Sequence, residues 1–305
     1  MFFTCLCPGA FCQTRQFDLG GEKINISTYL QVDYSSAVSS TAPPSNTFTI
    51  PRLRCDIWGD PTPSYGYLLE LEGTTSPNII YGWIDIKTIP WFKVRFGKFY
   101  YPFGLEYTTP PSKFDTINPS DTLWKYFGYS RDIGAEVLGN VGAFKYYLSV
   151  VNGNDNKPSD DNNVKDLCGR VTYDLGSLTL GLSDYNGRAG TGEVEKSRVG
   201  GELKYNFGPF TLKGEFISGI DDRIKSQGWY AMPIFKFTSM VEGLVKVECI
   251  DPDIDEGGDL QTLVTPGINV FFDENLKLQV NYLMKSDQAI DSHSSTFTTQ
   301  LQLFL

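Results

Sequence analysis

Trp91-Phe-Lys-Val-Arg-Phe-Gly-Lys-Phe-Tyr-Tyr-Pro-Phe-Gly-Leu-Glu106 alternates and then breaks. Phe92, Val94 and Phe96 fall on one face of an extended chain, and Lys93 and Arg95 on the other. About two dozen residues without strong secondary-structure signal follow. Alternation then resumes in Ser130-Arg-Asp-Ile-Gly-Ala-Glu-Val137, turns through Gly139-Asn-Val-Gly142 and returns in Tyr146-Tyr-Leu-Ser-Val-Val-Asn-Gly153. A loop of that length inside a compact domain is uncommon and usually functional. In a closed barrel it is the candidate to fold inward and narrow the lumen.

The same period-two pattern extends in both directions, in segments of about nine to twelve residues, and helical periodicity is nearly absent. Sixteen such segments run from Lys23–Ser35 to Thr296–Leu305. Leu178, Leu180 and Leu182 oppose Thr179, Gly181 and Ser183, and Phe297, Leu301 and Leu303 oppose Thr298, Gln300 and Gln302. Tight turns such as Phe207-Gly-Pro209 alternate with longer polar connections at 36–47, 102–130, 152–165, 186–196, 220–226, 251–260 and 286–295; the 75–78 link is the short exception. Strands near ten residues are longer than those of a soluble sandwich and match a tilted strand crossing a hydrocarbon layer. The fold class expected is all-β: a 16-stranded antiparallel transmembrane β-barrel with short periplasmic turns and longer extracellular loops. Recurrent aromatics near segment ends (Tyr65 and Tyr67, Tyr100 and Tyr101, Trp124, Tyr126 and Tyr129, Trp229 and Tyr230, Phe271 and Phe272) read as interfacial girdles.

The 305 residues carry a net charge of −10, so no basic patch is available for nucleic acid. No run of 18 apolar residues exists, which excludes a transmembrane helix but not transmembrane strands. Residues 1–22, beginning Met-Phe-Phe-Thr-Cys-Leu-Cys, read as a signal-peptide remnant or an N-terminal tail, and 23–305 as one barrel. A zinc site from Cys5, Cys7 and Cys12 is disfavoured, because His293 is the one histidine and lies far along the chain. Cys55, Cys168 and Cys249 read as small strand residues.

Parity turns charged side chains inward, where they set what passes a narrow lumen. The pore-lining candidates are Arg52, Arg54, Asp85, Lys87, Lys93, Arg95, Asp132, Glu136 and Arg170, with Arg52, Arg54, Lys93 and Arg95 as a basic patch opposite acids. The bland counterpart is cross-strand pairing that stiffens the wall. Loop 102–130 offers Glu106, Lys113, Asp115, Asp121 and Lys125 as constriction charges. The acidic run Asp251 to Asp259 lacks the spacing of a calcium-binding loop and reads as a solvated outer loop. His293 sits in a polar stretch without the motifs of a hydrolase, so no catalytic residue, metal or cofactor is assigned.

Arg95 to Glu106, Ser130 to Glu136, Val150 to Gly153, Asp161 to Tyr173, Gly214 to Gly219, Ser226 to Tyr230 and Leu276 to Tyr282 together resemble the phosphate-selective porin O and P family, in its Bacteroidetes-like branch. The resemblance implies a Gram-negative outer-membrane porin, commonly a homotrimer, that passes small hydrophilic solutes by passive diffusion, anions such as phosphate among them. It also implies surrounding outer-membrane lipid and lipopolysaccharide. The chain departs from the family in ending Leu303-Phe-Leu305 rather than in an aromatic residue, and no phosphate site maps residue by residue. A barrel plugged by loop 102–130, serving as a structural or assembly partner, is the other reading open at this point.

Overall fold

The computed structural model describes residues 14–74, 78–120, 131–154, 160, 162–191 and 194–305. Its wall is β2 (Glu22–Ser39), β3 (Ser45–Thr62), β4 (Tyr65–Glu72), β5 (Asn78–Ile89), β6 (Phe92–Tyr100), β7 (Arg131–Val141), β8 (Phe144–Val151) and β9 (Asp166–Asp174). It continues through β10 (Leu178–Ala189), β11 (Val194–Phe207), β12 (Phe210–Asp221), β13 (Ile224–Lys236), β14 (Val241–Asp251), β15 (Gln261–Phe271), β16 (Leu276–Asp287) and β17 (Ser292–Phe304). Each strand pairs antiparallel with the next, and β17 closes the ring on β2 from Ser294↔Ser39 to Phe304↔Tyr29. The sixteen expected segments correspond one to one with β2–β17.

A further short strand, β1 (Arg15–Leu19), lies within the stretch read as leader or tail. It pairs with the start of β2, from Arg15↔Ile26 to Leu19↔Glu22. Residues 1–13, with Cys5, Cys7 and Cys12, lie outside the described residues.

The connections at the loop end are shorter than the sequence suggested. The 220–226 loop is a two-residue turn, with Asp222 at φ 55°, and 36–47, 186–196 and 286–295 shrink to 40–44, 190–193 and 288–291. Beyond the hydrocarbon layer both faces of a strand meet water, so the apolar-polar signal fades. The backbone ladder needs no such signal and continues.

Faces follow parity, with the apolar one outward. Leu182 is 64% exposed and Ile84 58%, whereas Gln300 and Gln302 are 0% exposed inside. This inverts a soluble protein and suits lipid outside. Inward amides tie strands together: Gln31 to Gln302 at 2.5 Å, Gln300 to Asp33 at 2.9 Å and Gln279 to Asn269 at 3.0 Å. Pro51, which has no N–H to give, sits where the β2–β3 register slips between Gln31 and Asp33, directly before Arg52.

The girdle reading needs correction at two places. Tyr230 is buried inside while Trp229 faces out, and Tyr101, the first residue of the inward loop, is buried in the apolar cluster inside the barrel. Adjacent strand residues take opposite faces, so neighbouring aromatics cannot both reach lipid. Trp124, Tyr126 and Tyr129 lie outside the described residues.

Candidate functional site

After Tyr100 the chain leaves the wall and crosses the lumen, with a single 3-10 turn at Pro111–Lys113. Its first part carries three large rings, Tyr101, Phe103 and Tyr107. They pack with Phe99, Cys168, Tyr185, Ile217, Tyr230, Met232, Ile234 and Leu244 in an apolar cluster inside the barrel. Burying such side chains is worth about 1.5–3 kcal/mol each, enough to hold a segment that lacks a ladder.

Polar anchors then fix the loop to the β10–β17 side. Gly104 N donates to Ser183 Oγ at 3.0 Å, and Leu105 N and Glu106 N both donate to Glu215 Oε2 at 3.1 Å. Gly104 has φ +64°, which favours glycine, and a Cβ there would push against the Glu215 carboxylate that fastens the loop. Glu106 accepts from Lys246 Nζ at 3.1 Å and from Ser120 N at 2.6 Å. Lys246 also faces Glu248 at 3.4 Å, and Ser120 Oγ donates to that same Glu248. Burial pushes the Glu106 carboxyl up from its ordinary value, and Lys246 opposes the shift.

Farther along, Ile117 N donates to Asn281 Oδ1 at 2.7 Å, while Asn269 and Gln279 each donate to Asp115 O at 2.9 Å. Gln302 reaches Ser112 O at 3.1 Å, and Lys213 pairs with the Asp115 carboxylate at 2.5 Å. The constriction candidates Glu106 and Asp115 are therefore fastenings. Lys113 is exposed on the 3-10 turn, and Asp121 and Lys125 lie outside the described residues.

The β3–β7 wall holds most of the pore-lining candidates, and most are paired. Arg54 bridges Glu70 and Glu72, the latter at 2.8 Å. Asp85 takes Lys93 at 3.0 Å and Arg95 at 2.8 Å; Arg95 extends to Glu136 at 3.5 Å and lies over the Trp83 ring at 4.1 Å. Lys87 pairs with Asp60 at the turn end. On the far side Arg170 grips Glu202 at 2.5 Å. Asp132 accepts from Tyr101 OH, Gly153 N and Asn154 N at 2.5 to 3.2 Å and so moors the root of the loop.

The expected basic patch is thus largely neutralised, with one exception. Arg52 Nη1 donates to the neutral Gln31 Oε1 at 2.8 Å and, among the described residues, forms no ion pair with a carboxylate. Its side chain stays partly exposed, as does Lys93 at 31%. The loop anchors Glu215, Lys246 and Glu248 were visible as inward by parity. Nothing local distinguished an anchor from a pore-lining charge. Ser183, Asn281, Gln279 and Gln302 carried no signal beyond facing inward. His293 lies at the exposed start of β17, where its backbone N donates to Ser40 Oγ at 3.0 Å. In the acidic loop, Asp253 N donates to Asp259, and Asp255 pairs with Lys225 at 3.0 Å.

Residues 29–300 match the family model described as Gram-negative porin. No curated protein matches the chain in sequence. Among solved structures, the anion-selective porin from Comamonas acidovorans superposes with a TM-score of 0.77 at 13% identity, over 92% of this chain and 99% of that one. The outer membrane channel DcaP of Acinetobacter baumannii gives 0.72 at 9% identity, over 95% and 99%. The trimer form of OmpT from Vibrio cholerae gives 0.66 at 12% identity, over 92% and 99%.

Proposed function

The chain belongs to the Gram-negative porins, outer-membrane channels for passive diffusion, and from that premise we propose that its loop narrows the lumen without plugging it and that Arg52 tilts passage toward small anions. The observation that carries this is the one-sided fastening of the loop. From Gly104 to Ser120 its described hydrogen bonds and ion pairs to the wall run to strands β10, β12 and β14–β17, while Arg52, Lys93 and Arg95 on the opposite wall keep solvent exposure. Pairing makes the eyelet weakly discriminating, and within the basic patch Arg52 is the charge that no described carboxylate pairs. A unit charge about 7 Å from a permeating ion in water stabilises an anion by about 0.6 kcal/mol and destabilises a cation by about as much, roughly a sevenfold preference between the signs.

Phosphate, the solute class of the family resembled by Arg95 to Glu106, is the next anion to test. Assembly as a homotrimer, as in the Vibrio cholerae relative, and lipid and lipopolysaccharide around the apolar outside complete the reading. The fold serves a channel rather than an enzyme.

The test is single-channel recording and reversal potential in a planar bilayer under a potassium chloride gradient. Stepwise conductance with a modest chloride preference, reduced several-fold and by at most about sevenfold in Arg52→Gln, is the expected result. A potassium preference unchanged by that substitution refutes the role of Arg52. Absence of conductance steps sends the reading to a plugged structural barrel.

A further inference from the structure

Beyond Gly104 the loop is held by polar groups, but at its root it is held by rings. Tyr100↔Arg131 is the last pair of the β6–β7 ladder, so the chain leaves the wall and returns to it across this pair. Arg131 is 8% exposed. Its guanidinium lies 4.5 Å from the centre of the Tyr100 ring and 5.1 Å from that of Tyr81 on β5, and Nη2 donates to Tyr100 OH at 2.6 Å. A guanidinium is planar, keeps its charge and is less tightly hydrated than an ammonium, so it suits a place among rings.

The rings continue on both sides of this contact. Trp83 meets Tyr81 edge-on at 5.4 Å, and Tyr81 meets Tyr100 at 4.8 Å. Tyr100 meets Tyr107 of the loop at 5.9 Å, and Tyr107 stacks on Tyr101 at 6.3 Å. Tyr101 then reaches Tyr185 on β10 at 5.4 Å. These separations lie in the range where aromatic pairs attract. An unbroken row of rings therefore runs from β5, through the root of the loop, to β10. Its far end is pinned by Tyr185 OH to Asp166 and by Tyr101 OH to Asp132 at 3.2 Å. Its near end is pinned by Arg131. Tyr100 also lies within electrostatic reach of Arg54, Glu70 and Arg52, the groups that border the open side of the eyelet.

We propose that Arg131 is a positioning residue for the eyelet. By holding Tyr100 against Tyr81 it fixes the direction in which the loop leaves β6, and through Tyr100 and Tyr107 it sets the clearance in front of Arg52. It acts through these rings, not as a charge met by the solute. Without it the Tyr100 ring turns toward Arg54 and Arg52 and obstructs the passage intermittently. The proposal rests on the reading of the lumen as open to solutes.

The experiment records the full-length barrel in a planar bilayer. Arg131→Met should lower the mean conductance and raise open-channel noise several-fold, and Arg131→Lys, which keeps a cation over the rings, should restore part of both. Tyr81→Leu changes no charge and should reproduce the change. Arg131→Met added to Tyr81→Leu should then add little, because residues in contact that act as one unit are not additive. A change in Arg131→Met with wild-type records in Tyr81→Leu overturns the proposal, since Arg131 would then act as a pore charge. Wild-type records in Arg131→Met overturn it as well. The heat-dependent gel shift identifies each variant as a closed barrel. If Arg131→Met does not fold, Tyr100→Phe, which removes one hydroxyl, carries the same expectation in milder form. If the wild type gives no conductance, the open-channel reading fails on its own. The positioning role is then judged by protease cleavage within 102–120: faster cleavage in Arg131→Met and Tyr81→Leu sustains it, and unchanged cleavage overturns it.

Discussion

Replacing Lys246 by Met removes the one cation of the buried group that clamps the loop. Lys246 is 1% exposed and stands 3.1 Å from Glu106 and 3.4 Å from Glu248, both buried. Met keeps most of the volume, so no large cavity opens. What remains is two buried carboxylates facing one another without compensation. Removing one member of a buried pair costs about 3–5 kcal/mol, and each 1.4 kcal/mol is about tenfold in an equilibrium. Docking of the Glu106–Ser120 segment should therefore weaken by about a hundredfold to a few thousandfold. The wall itself is stitched by sixteen ladders and should not notice. Single-channel records of Lys246→Met should show added open-channel noise and an altered conductance, while far-ultraviolet circular dichroism and the heat-dependent gel shift of the barrel stay the same. The triple variant Lys246→Met, Glu106→Gln, Glu248→Gln removes all three charges and should recover quiet openings, because a buried ion group exchanged for neutral side chains is often near neutral in cost. Quiet wild-type openings in Lys246→Met alone would falsify the clamp.

Gly104→Ala puts a side chain at φ +64° and into Glu215, so the loop should loosen by about 1–3 kcal/mol, read as faster protease cleavage within 102–120; unchanged cleavage would count against that contact. Acidification should quiet the channel. Glu106, on the loop rather than on a spanning strand, has its carboxyl raised when docked and ordinary when undocked, so the proton favours docking. That stabilisation is present at low pH and lost as pH rises through the raised value; noise that falls instead on alkalinisation contradicts the sign. On the outside, Leu182→Arg near mid-membrane should cost about 2–4 kcal/mol in refolding into lipid vesicles, and the inward Thr298→Arg far less. Equal urea midpoints for those two would mean the faces are misassigned.

The number, order and facing of the sixteen wall strands were legible in the sequence, because period two and turn residues are local properties, whereas β1 was read as leader or tail. Phe144–Val151 and Asp166–Asp174 were placed to the residue. What parity cannot give is the partner across the lumen. Glu215 and Arg52 are both inward charges on mid-strand, yet one is consumed by two loop N–H groups and the other meets only a glutamine. That difference depends on a loop arriving from more than a hundred residues away in sequence. The buried tyrosines were misjudged for a related reason: Tyr101 and Tyr230 look like girdle residues until the inner aromatic cluster is seen to need them.

The short β1 bears on how the barrel is sealed. Leu305 N and Thr28 exchange backbone bonds at 2.9 and 3.2 Å, and β1 takes up the same edge of β2 just beyond that point. One edge of β2 is therefore covered end to end by two pieces of chain from opposite extremes of the sequence. The contact of Thr28 with Leu305 spans 277 positions, whereas the β1–β2 hairpin closes locally. Loop-closure entropy makes the local piece cheap to form and the distant one slow. The hairpin can thus stand ready early, leaving the final strand a shortened and already bounded slot in which a slip of register toward the turn end would run into β1.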